Sequence, residues 1–476
     1  MDDPRLVDLR RELAAVRDVL GRGPGAAHLL GIGGVGMAAV AVQLQARGYA
    51  VSGCDAHPGS VARWLAARGI PVSPGHDASH LTGAERMVVR SPAVSRDEPE
   101  CARARQAGLP LFVRGTVLPA LLDGQRSIAV SGTHGKTTTT AMIVHMLRGV
   151  SVDVSFCIGG EADELGGVAG VGRSGVVVVE ADESDGTLAL YEPSHGIITN
   201  VELDHVDYFR DEQELAACFG AFAAQARAVV YCADDPGASR AATHAGRRIS
   251  YGMGPEAGLH ARAVRGMGTG MACEVWREGA PLGELSLPVP GRTNLLNALA
   301  ALAVGLDLGH PFAGLADALR GFQSVRRRFE VRGEGRGITV ISDYAHHPTE
   351  VQALFEQVRS LGARRVLAVF QPHRYTRTAA LGAAFPAAFR GAAEVVLAPV
   401  YAASEQPVAG GTSADLLAHF RRAGVVPAHL THSLLEAWDH IRNTWREGDV
   451  LLVVGAGDVE QIATWAAREL GPSGKS

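Results

Sequence analysis

The sequence has no long run of one charge sign and no apolar stretch long enough to span a membrane. Its 45 lysines and arginines stand against 50 aspartates and glutamates, for a formal net charge of −5. The basic cluster 326–328 is only local, which argues against nucleic acid as the main partner. The longest apolar helical segment, 295–306, falls short of the roughly 20 residues that a span needs. We therefore expect no membrane insertion.

Cysteine is scarce and shows no paired metal-ligand spacing. The six cysteines are Cys54, Cys101, Cys157, Cys218, Cys232 and Cys273. Their mostly apolar surroundings favour reduced thiols in the core of a cytosolic protein. The first residues are charged and contain no apolar core segment, so we expect no signal peptide and a cytoplasmic location.

Length and strand pattern predict an α/β protein with three units in series. A chain of 476 residues is too long for one hydrophobic core, and a prior of about 150 residues per domain suggests three. Short apolar runs, of the kind that parallel strands bury on both faces, alternate with helical segments. These runs span residues 26–30, 49–53, 87–89, 128–130, 176–179, 196–199, 228–231, 339–341, 366–370, 395–397 and 450–454.

The predicted boundaries lie near residues 124 and 323. They delimit a Rossmann-like N-terminal unit (26–124), a central P-loop-type ATPase unit (125–323) and a Rossmann-like C-terminal unit (324–476). The polar leader, 1–25, is expected to be partly disordered. We expect a monomer or a homodimer.

The phosphate loop, residues 132–138 with the sequence Gly-Thr-His-Gly-Lys-Thr-Thr, is the most informative segment. It follows an apolar strand and opens a helix, so backbone N–H groups and the positive helix end point into one small space. With the Lys136 ammonium and the Thr137 hydroxyl, that space suits a triphosphate and Mg²⁺. Val130 stands where the general P-loop pattern has glycine, so this loop is a variant. A tight connection that binds nothing is the alternative.

The first glycine loop, residues 31–36, lies in the N-terminal unit. Gly31, Gly33 and Gly36 match the dinucleotide fingerprint, and Asp55 lies near the spacing of an acid that binds a ribose. This pattern selects a pyrophosphate with a sugar, so NAD and a UDP-sugar both satisfy it. Because no later segment resembles a hydride-transfer site, we interpret this unit as the holder of a nucleotide-linked substrate.

Acidic segments follow two buried strands of the central unit. One begins at Glu180 with the sequence Glu-Ala-Asp-Glu-Ser-Asp-Gly, and the other contains His205. Ligands bind at the carboxyl ends of such strands, and Mg²⁺ needs only one or two carboxylates beside a hydroxyl. We favour a functional role for Glu180 and His205. Solvated loop charge is the alternative, particularly for Asp182 and Asp207.

The C-terminal unit offers histidines and arginines after its strands. His346 and His347 suggest a metal site, but adjacent loop residues seldom both face one ion, so a nucleotide-contacting loop is favoured. Arg374 and Arg377 lie three residues apart, so on a helical turn they can share a face and clamp a carboxylate. Solvated surface arginines are the alternative.

These motifs, in this order, resemble those of the Mur ligases, the ATP-dependent enzymes that build the peptidoglycan stem peptide. The resemblance runs from about residue 26 to 460 and rests on segments 31–37, 132–138, 180–186, 199–205, 294–297, 327–330, 343–348, 370–377 and 401–405. Four of these, 31–37, 343–348, 370–377 and 401–405, are similar to the alanine-adding branch of the family. The resemblance implies ATP and Mg²⁺ as cofactors, with UDP-N-acetylmuramate and L-alanine as substrates.

The resemblance also implies a role for each candidate residue. ATP would be held by Gly132, Thr133, His134, Gly135, Lys136, Thr137, Thr138, Asn294, Asn297, Arg328 and Asp343. The UDP-sugar would meet Gly31, Gly33, Gly34, Gly36, Asp55, Ser91 and Arg114, and the alanine carboxylate would meet His373, Arg374 and Arg377. Mg²⁺ would bind Thr137, Glu180 and His205, directly or through water. The catalytic set would be Lys136, His205, Arg328 and His346.

The implied reaction begins when a carboxylate attacks ATP to form an acyl phosphate, which the alanine amine then attacks. Departures from the family pattern at Pro92, Thr293, Ser342 and Pro399 concern the sugar-side and adenine-side contacts rather than the reaction type. The rivals are a ligase that attaches a whole tripeptide to the same sugar nucleotide, a non-catalytic nucleotide-binding regulator of the same fold, and a dinucleotide oxidoreductase. Segment 373–377 speaks against the first rival.

Overall fold

A computed structural model describes residues 4–206, 208–267 and 269–471, with only the backbone of Ser360. Three β-sheets lie in these residues, one in each successive segment of the chain, with helices on their faces. This is the three-unit α/β architecture that the sequence predicts. The boundaries near residues 124 and 323 stay a prediction, and Asp207 lies outside the described residues.

The N-terminal unit is a parallel sheet covered by helices. Its strands are β1 (Ala26–Leu30), β2 (Ala50–Asp55), β3 (Val72–Pro74), β4 (Glu85–Arg90) and β5 (Leu111–Val113). Its helices are α1 (Pro4–Gly21), α2 (Val35–Ala46), α3 (Ser60–Ala66), α4 (Pro99–Gln106) and α5 (Arg114–Ala120), with a 3₁₀ turn at Ala78–His80. The strand order β3-β2-β1-β4-β5 reverses at β1. The first glycine loop therefore opens into the crevice where such sheets bind ligands.

The central unit is a larger mixed sheet. Its strands are β6 (Arg126–Ser131), β7 (Ser155–Ala162), β8 (Gly167–Gly170), β9 (Val176–Glu180), β10 (His195–Ile198), β11 (Ala228–Cys232), β12 (Arg248–Gly252), β13 (Leu259–Met267), β14 (Gly270–Arg277) and β15 (Ala280–Leu287). Its helices are α6 (Lys136–Gly149), α7 (Glu212–Gln225), α8 (Pro236–Ala242), α9 (Arg292–Asp307) and α10 (Phe312–Leu319), with 3₁₀ turns at Asp163–Leu165 and Thr187–Leu190. The order is β15-β14-β13-β12-β11-β10-β6-β9-β7-β8, parallel in the middle and antiparallel at both ends.

The C-terminal unit repeats the parallel pattern on a smaller scale. Its strands are β16 (Glu330–Gly335), β17 (Ile338–Asp343), β18 (Arg365–Phe370), β19 (Glu394–Leu397), β20 (Ala428–Leu430) and β21 (Asp449–Val454). Its helices are α11 (Pro348–Ser360), α12 (Tyr375–Leu381), α13 (Phe385–Ala388), α14 (Ser413–Ala423), α15 (Leu434–Thr444) and α16 (Glu460–Leu470). The order is β16-β17-β21-β18-β19-β20, with only β16 antiparallel to its neighbour.

Burial explains which strands the sequence reveals. The four valines of β9 are buried, as are all six residues of β21, because helices cover both faces of these parallel strands. The antiparallel strand β13 is exposed over most of its length and was not predicted. One buried cluster extends from Leu29 in the N-terminal unit to Val177 and Phe219 in the central unit, whereas the C-terminal unit has clusters of its own.

The expectation of a partly disordered leader is wrong for the described residues 4–21, which form α1. Leu13, Val16 and Val19 recur every three residues and are at most 5% exposed. They lie on the face that packs against α5 and the 3₁₀ turn Thr187–Leu190. The many charged neighbours of these three residues conceal that apolar stripe in the sequence. Among the described helices, none has the length and apolar composition of a bilayer span.

Candidate active site

Three loops of the central unit meet at one edge of its sheet. Strand β6 lies between β9 and β10, and the three run parallel, so their carboxyl ends are neighbours. The phosphate loop follows β6, the acidic segment that begins at Glu180 follows β9, and residues 199–200 follow β10. The motifs that the sequence places far apart therefore converge on one point.

The turn after β10 holds the phosphate loop in place. Gly132 and Gly135 have positive φ angles of 129° and 82°, a conformation that favours glycine. The Asn200 side-chain oxygen accepts a hydrogen bond from the His134 amide at 2.8 Å, and the Thr199 hydroxyl donates to the His134 carbonyl at 2.7 Å. Because Gly135 caps α6 without a side chain, the first-turn N–H groups of α6 are presented to an anion.

The Lys136 ammonium lies between the loop carbonyls and a buried carboxylate. It donates to the carbonyls of Gly132 at 2.6 Å and Thr133 at 3.1 Å, and to Glu183 Oε1 at 2.8 Å. Burial opposes its charge, but the carboxylates of Glu183 and Asp182 outweigh burial and raise the pKa of Lys136. Burial also raises the pKa of Glu183, which is 1% exposed. The protein itself thus fixes this cation in place.

Glu180 and His205 face the same cleft from two strand ends. The Glu180 Oε2 atom accepts a hydrogen bond from the Gly159 amide at 2.8 Å. The His205 Nε2 atom lies 3.8 Å from Glu183 Oε1. Thr137 is buried at the start of α6. A carboxylate and a hydroxyl beside a phosphate loop fit Mg²⁺, which prefers oxygen ligands and keeps several waters.

A pocket of about 310 Å³ is lined by residues of the phosphate loop, of α9 and of the C-terminal unit. The predicted nucleotide residues that line it are His134, Gly135, Thr138, Asn294, Asn297, Arg328 and Asp343. The other predicted residues of the phosphate loop do not line this pocket; they are Gly132, Thr133, Lys136 and Thr137. Asn297 packs so closely that a Cβ on Gly135 would lie 2.8 Å from its Oδ1. A nucleoside in this pocket would lie beside His134, Gly135 and Thr138, so its phosphates would be next to the loop.

Asp343 holds backbone as well as lining that pocket. Its Oδ2 accepts a hydrogen bond from the Phe329 amide at 2.7 Å, and its Oδ1 accepts one from the Ala345 amide at 2.8 Å. Burial raises the pKa of Asp343, although the neighbouring Arg328 opposes this change. The carboxylate thereby fixes the segment that carries Arg328, a positioning contact that the sequence does not reveal.

A cleft of about 880 Å³ lies where the three units meet. The predicted substrate and metal residues that line it are Gly34, Gly36, Ser91, Arg114, Glu180, His205 and Arg374. Its walls also include Tyr208, Ser404 and Glu405, which the sequence analysis did not select as site residues. The cleft therefore joins the first glycine loop to the phosphate-loop region.

Asp55 binds the first glycine loop and does not line the cleft. Its Oδ2 accepts a hydrogen bond from the Gly33 amide at 2.9 Å, and its Oδ1 accepts one from the His57 amide at 2.9 Å. Gly31 has a φ of 74°, and its amide donates to the Cys54 carbonyl at 2.8 Å. Asp55 therefore positions the first glycine loop through two backbone amides, and its expected contact with the sugar stays a prediction.

Asp182 forms an ion pair across two units. Its Oδ2 lies 3.1 Å from Arg114 Nη2, and both side chains line the cleft. Burial disfavours the charged carboxylate, but Arg114 and Lys136 outweigh it and lower the pKa of Asp182. The interpretation of Asp182 as solvated loop charge is therefore wrong.

The predicted pair of arginines does not share one face. Arg374 lines the cleft. Arg377 is 6% exposed and forms a bidentate pair with Asp204, with Nε–Oδ1 at 3.0 Å and Nη2–Oδ2 at 3.1 Å. His373 stacks on Tyr401 with ring centroids 5.6 Å apart, and its Nδ1 lies 3.2 Å from Arg377. The expected two-arginine clamp is corrected, because the central unit itself supplies a carboxylate to Arg377.

The adjacent histidines point to different partners, as the argument against one shared ion predicts. His346 lies 5.8 Å from the His373 ring, and burial lowers the pKa of His346 to about 4. His347 lies 4.9 Å from the His134 ring and 3.8 Å from Glu202. His346 thus lies toward His373 and His347 toward the phosphate loop.

Several carboxylates that organise the site were missed as site residues. Glu202 and Glu350 lie 3.0 Å and 3.2 Å from the two ring nitrogens of His134. Burial opposes protonation of His134, but Glu350 and Glu202 outweigh it and raise its pKa to about 9. Glu183 and Asp204 lie inside motifs already recognised, so their strand-end positions were the available signal. Glu350 lies in the first turn of α11 and completes the capping box with His347, which conceals its second role.

Comparison with known families covers most of the chain. Residues 26–126 match the model described as "Mur ligase family, catalytic domain". Residues 130–305 match "Mur ligase middle domain", and residues 327–457 match "Mur ligase, glutamate ligase domain". These three matches follow the three sheets in order.

Individual relatives extend over the whole fold. The chain is 42% identical over 447 residues to a UDP-N-acetylmuramate–L-alanine ligase of Acidothermus cellulolyticus, covering 91% of this chain and 92% of that protein. A crystal structure of UDP-N-acetylmuramate–alanine ligase from Thermotoga maritima matches with a TM-score of 0.81 at 29% identity, covering 93% and 98% of the two chains. A murein peptide ligase from Psychrobacter arcticus matches with a TM-score of 0.69 at 22% identity, covering 94% and 98%. The last likeness shows the fold alone.

Proposed function

The chain belongs to the Mur ligase family, and on that premise we propose that it joins L-alanine to the lactyl carboxylate of UDP-N-acetylmuramate. ATP is converted to ADP and phosphate in this step of peptidoglycan precursor synthesis. The observation that carries the proposal is the meeting of a lysine-bearing phosphate loop, a nucleoside-sized pocket and a large three-unit cleft at one sheet edge. The tripeptide-attaching rival is not favoured, because the relative at 42% identity adds alanine.

The nucleotide side of the proposal rests on charge and position. Lys136 binds the β- and γ-phosphates, and Arg328 reaches the γ-phosphate from the C-terminal unit. Asn294 and Asn297 contact the adenine, and Asp343 lies at the ribose. Arg328 and the two asparagines line the same pocket, which supports this assignment. The remaining loop positions, Gly132, Thr133, His134, Gly135, Thr137 and Thr138, supply backbone and hydroxyl donors around the phosphates.

We assign Mg²⁺ to Thr137 and Glu180, with His205 binding directly or through water. When bound, the ion supplies positive charge at the phosphoryl oxygens. The side chains of Glu180 and His205 line the cleft beside Lys136, and the oxygen donors suit this ion.

The substrate side divides between contact and positioning. Gly34, Gly36, Ser91 and Arg114 line the cleft and contact the sugar nucleotide. Gly31 and Gly33 shape the first glycine loop, and Asp55 positions it. Arg374 receives the alanine carboxylate at the cleft wall. His373 supports that region, and Arg377 reaches a substrate only when its pair with Asp204 opens.

The chemistry follows from these positions. The lactyl carboxylate attacks the γ-phosphorus, the bond to the ADP oxygen breaks, and an acyl phosphate results. Lys136 and Arg328 stabilise the charge that spreads over the phosphoryl oxygens. The alanine amine, as the free base, then attacks the acyl carbon, the amide bond forms as the nitrogen loses one proton to solvent, and phosphate leaves with the bonding electron pair. His346 stays neutral, since burial lowers its pKa to about 4.

The proposal is tested by incubating the purified protein with ATP, Mg²⁺ and UDP-N-acetylmuramate and screening amino acids for phosphate release. Release should require all three and be strongest with L-alanine. The tripeptide L-alanyl-γ-D-glutamyl-meso-diaminopimelate, offered in place of alanine, serves as the control for the rival ligase. Preference for that tripeptide, or phosphate release without the sugar nucleotide, would contradict the proposal.

A further inference from the structure

The N-terminal unit brings five potential metal ligands to one point on the sheet face that α4 covers. His28 lies on β1, Cys54 on β2, His76 after β3, His80 in the 3₁₀ turn and Glu100 on α4. His80 Nδ1 lies 2.6 Å from Glu100 Oε1, and His76 Nδ1 lies 3.0 Å from Glu100 Oε2 and 3.2 Å from Cys54 Sγ. One donor atom each from His28, Cys54, His80 and Glu100 lies within 4.8 Å of all the others.

The cluster is deeply buried, which is unusual for such polar side chains. Cys54 and Glu100 have 0% exposure, and His28 has 2%. Hydrogen bonds among the imidazoles, the thiol and the carboxylate could satisfy most of these groups without a metal. They do not satisfy His28, whose Nδ1 is bonded to Ser52 Oγ at 2.9 Å and whose buried Nε2 has no hydrogen-bond partner among the described residues. That nitrogen lies 3.8 Å from Glu100 Oε1, on the side of the cluster.

We propose that this cluster binds one Zn²⁺ ion through His28 Nε2, Cys54 Sγ, His80 Nδ1 and a carboxylate oxygen of Glu100. Zinc takes nitrogen, sulfur and oxygen ligands at about 2.0 to 2.3 Å, so tetrahedral donor atoms lie roughly 3.3 to 3.8 Å apart. Donor atoms at the 4.8 Å limit must approach each other by roughly 1 Å, whereas His80 Nδ1 and Glu100 Oε1, now hydrogen-bonded at 2.6 Å, must move apart as the ion replaces the proton between them. His76 remains hydrogen-bonded beside the ion.

Charge and supporting contacts fit this ion. One thiolate and one carboxylate neutralise Zn²⁺, which suits a buried site, and the Cys54 thiol proton leaves to solvent on binding. The Ser52 contact fixes the His28 ring with Nε2 turned to the cluster, as second partners of ligating histidines do. The other histidine group near the phosphate loop, His134 with His347 and Glu202, contains no sulfur, and we assign it to nucleotide binding.

The position of the site indicates a structural role for the metal. The Cys54 carbonyl accepts hydrogen bonds from the amides of Gly31 at 2.8 Å and Ile32 at 3.0 Å. The next residue, Asp55, holds Gly33. A metal on Cys54 would therefore stiffen the end of β2, to which the first glycine loop is hydrogen-bonded. This consequence for the loop rests on the proposed function, whereas metal binding itself does not.

The test uses full-length protein stripped with a chelator and titrated with Zn²⁺ against a chromophoric competitor, and in parallel with Co²⁺. We expect one tight Zn²⁺ per chain and a near-ultraviolet sulfur-to-cobalt charge-transfer band. Cys54→Ala should abolish the band and weaken Zn²⁺ binding by about 100-fold or more, since second partners alone contribute 10- to 100-fold. Cys101 is a buried thiol on α4 in the same small hydrophobic cluster as Cys54, so Cys101→Ala is the matched control and should change neither.

A second variant keeps the proposal open to contradiction if Cys54→Ala folds poorly. Ser52→Ala removes only the contact to His28 Nδ1 and should weaken Zn²⁺ binding by about 10-fold with the cobalt band retained. A wild-type cobalt complex without a sulfur band would overturn the proposal, as would tight Zn²⁺ binding unchanged in both Cys54→Ala and Ser52→Ala. Because these readouts need no ATP or sugar nucleotide, they are independent of whether the proposed ligase activity is found.

Discussion

The first glycine loop and the phosphate loop have similar backbones and different charges. Each follows a buried parallel strand and opens a helix, and positive φ angles occur at Gly31 in the first loop and at Gly132 and Gly135 in the second. The first is held by a carboxylate, through the bond from Gly33 to Asp55. The second carries Lys136 and a His134 side chain flanked by two glutamates. A glycine turn before a helix favours anions, and on the proposed function the flanking charges decide whether a pyrophosphate is only bound or a phosphoryl group is transferred.

The largest expected effect tests the phosphate loop. Lys136→Ala should reduce kcat by at least about 10³-fold, because a fixed cation at the transferring phosphoryl group is lost. Steady-state phosphate release measures this loss, and circular dichroism reports on the fold. Near-normal turnover would remove the distinction between the loops.

Stability complicates that variant, because Lys136 neutralises the buried Glu183. Removal of one partner of a buried pair costs roughly 3 to 5 kcal/mol. The double variant Lys136→Ala, Glu183→Gln should recover much of the lost Tm and remain inactive, which separates catalysis from folding.

The next effect concerns pH and the histidine of the phosphate loop. The pKa of His134 is about 9 in the folded protein, above the roughly 6.5 of an unfolded histidine. Its contribution to stability is therefore complete below about pH 6.5 and is lost as pH rises through about 9, and it is on the order of 3 kcal/mol. Calorimetry should show the Tm advantage of wild type over His134→Gln shrinking across that range. A constant advantage would show that His134 does not gain a proton on folding.

A smaller effect separates the amino-acid site from both loops. Arg374→Ala should raise the KM for alanine about 10-fold, the loss of one charge-assisted contact, with the KM values for ATP and the sugar nucleotide unchanged. Arg377→Ala is the comparison variant, and it should mainly lower Tm by leaving Asp204 unpaired. The reverse pattern would restore Arg377 as the principal carboxylate contact.

The smallest expected effect tests the first glycine loop, which carries no lysine. Asp55→Asn keeps the shape of the side chain but replaces one acceptor oxygen with a donor, which weakens the hold on Gly33 or His57. We expect the KM for UDP-N-acetylmuramate to rise about 5-fold, with kcat and the KM for ATP unchanged. A fall in kcat as large as that of Lys136→Ala would mean that both loops act on the reacting phosphate.

The parts of the site that the sequence predicts are those that lie at strand ends. Continuous apolar runs identify β6, β9 and β10, and parallel packing then brings Lys136, Glu180 and His205 together. No knowledge of the angle between units is needed for this step, which is why the phosphate side was predicted in most of its parts.

The parts that the sequence does not predict depend on packing between units or between distant strands. The Arg377–Asp204 pair requires the C-terminal unit to lie against the central one. The cluster of His28, Cys54 and Glu100 joins residues from two strands and a helix without any motif spacing. Asp55 kept the expected position but contacts backbone instead of opening to the cleft, a difference of side-chain orientation that spacing cannot specify.

Helix α1 limits the relative movement of the N-terminal and central units. Arg17 forms ion pairs with Asp123 at 2.8 Å and with Glu192 at 3.3 Å, and so bridges the N-terminal and central units. The two units also share one buried hydrophobic cluster, which adds to the contact that these ion pairs make. We therefore expect domain closure to be a movement of the C-terminal unit about a single hinge. This movement brings Arg374 toward the N-terminal and central units, which keep their relative position. During this movement the distance between Lys136 and the first glycine loop should stay constant.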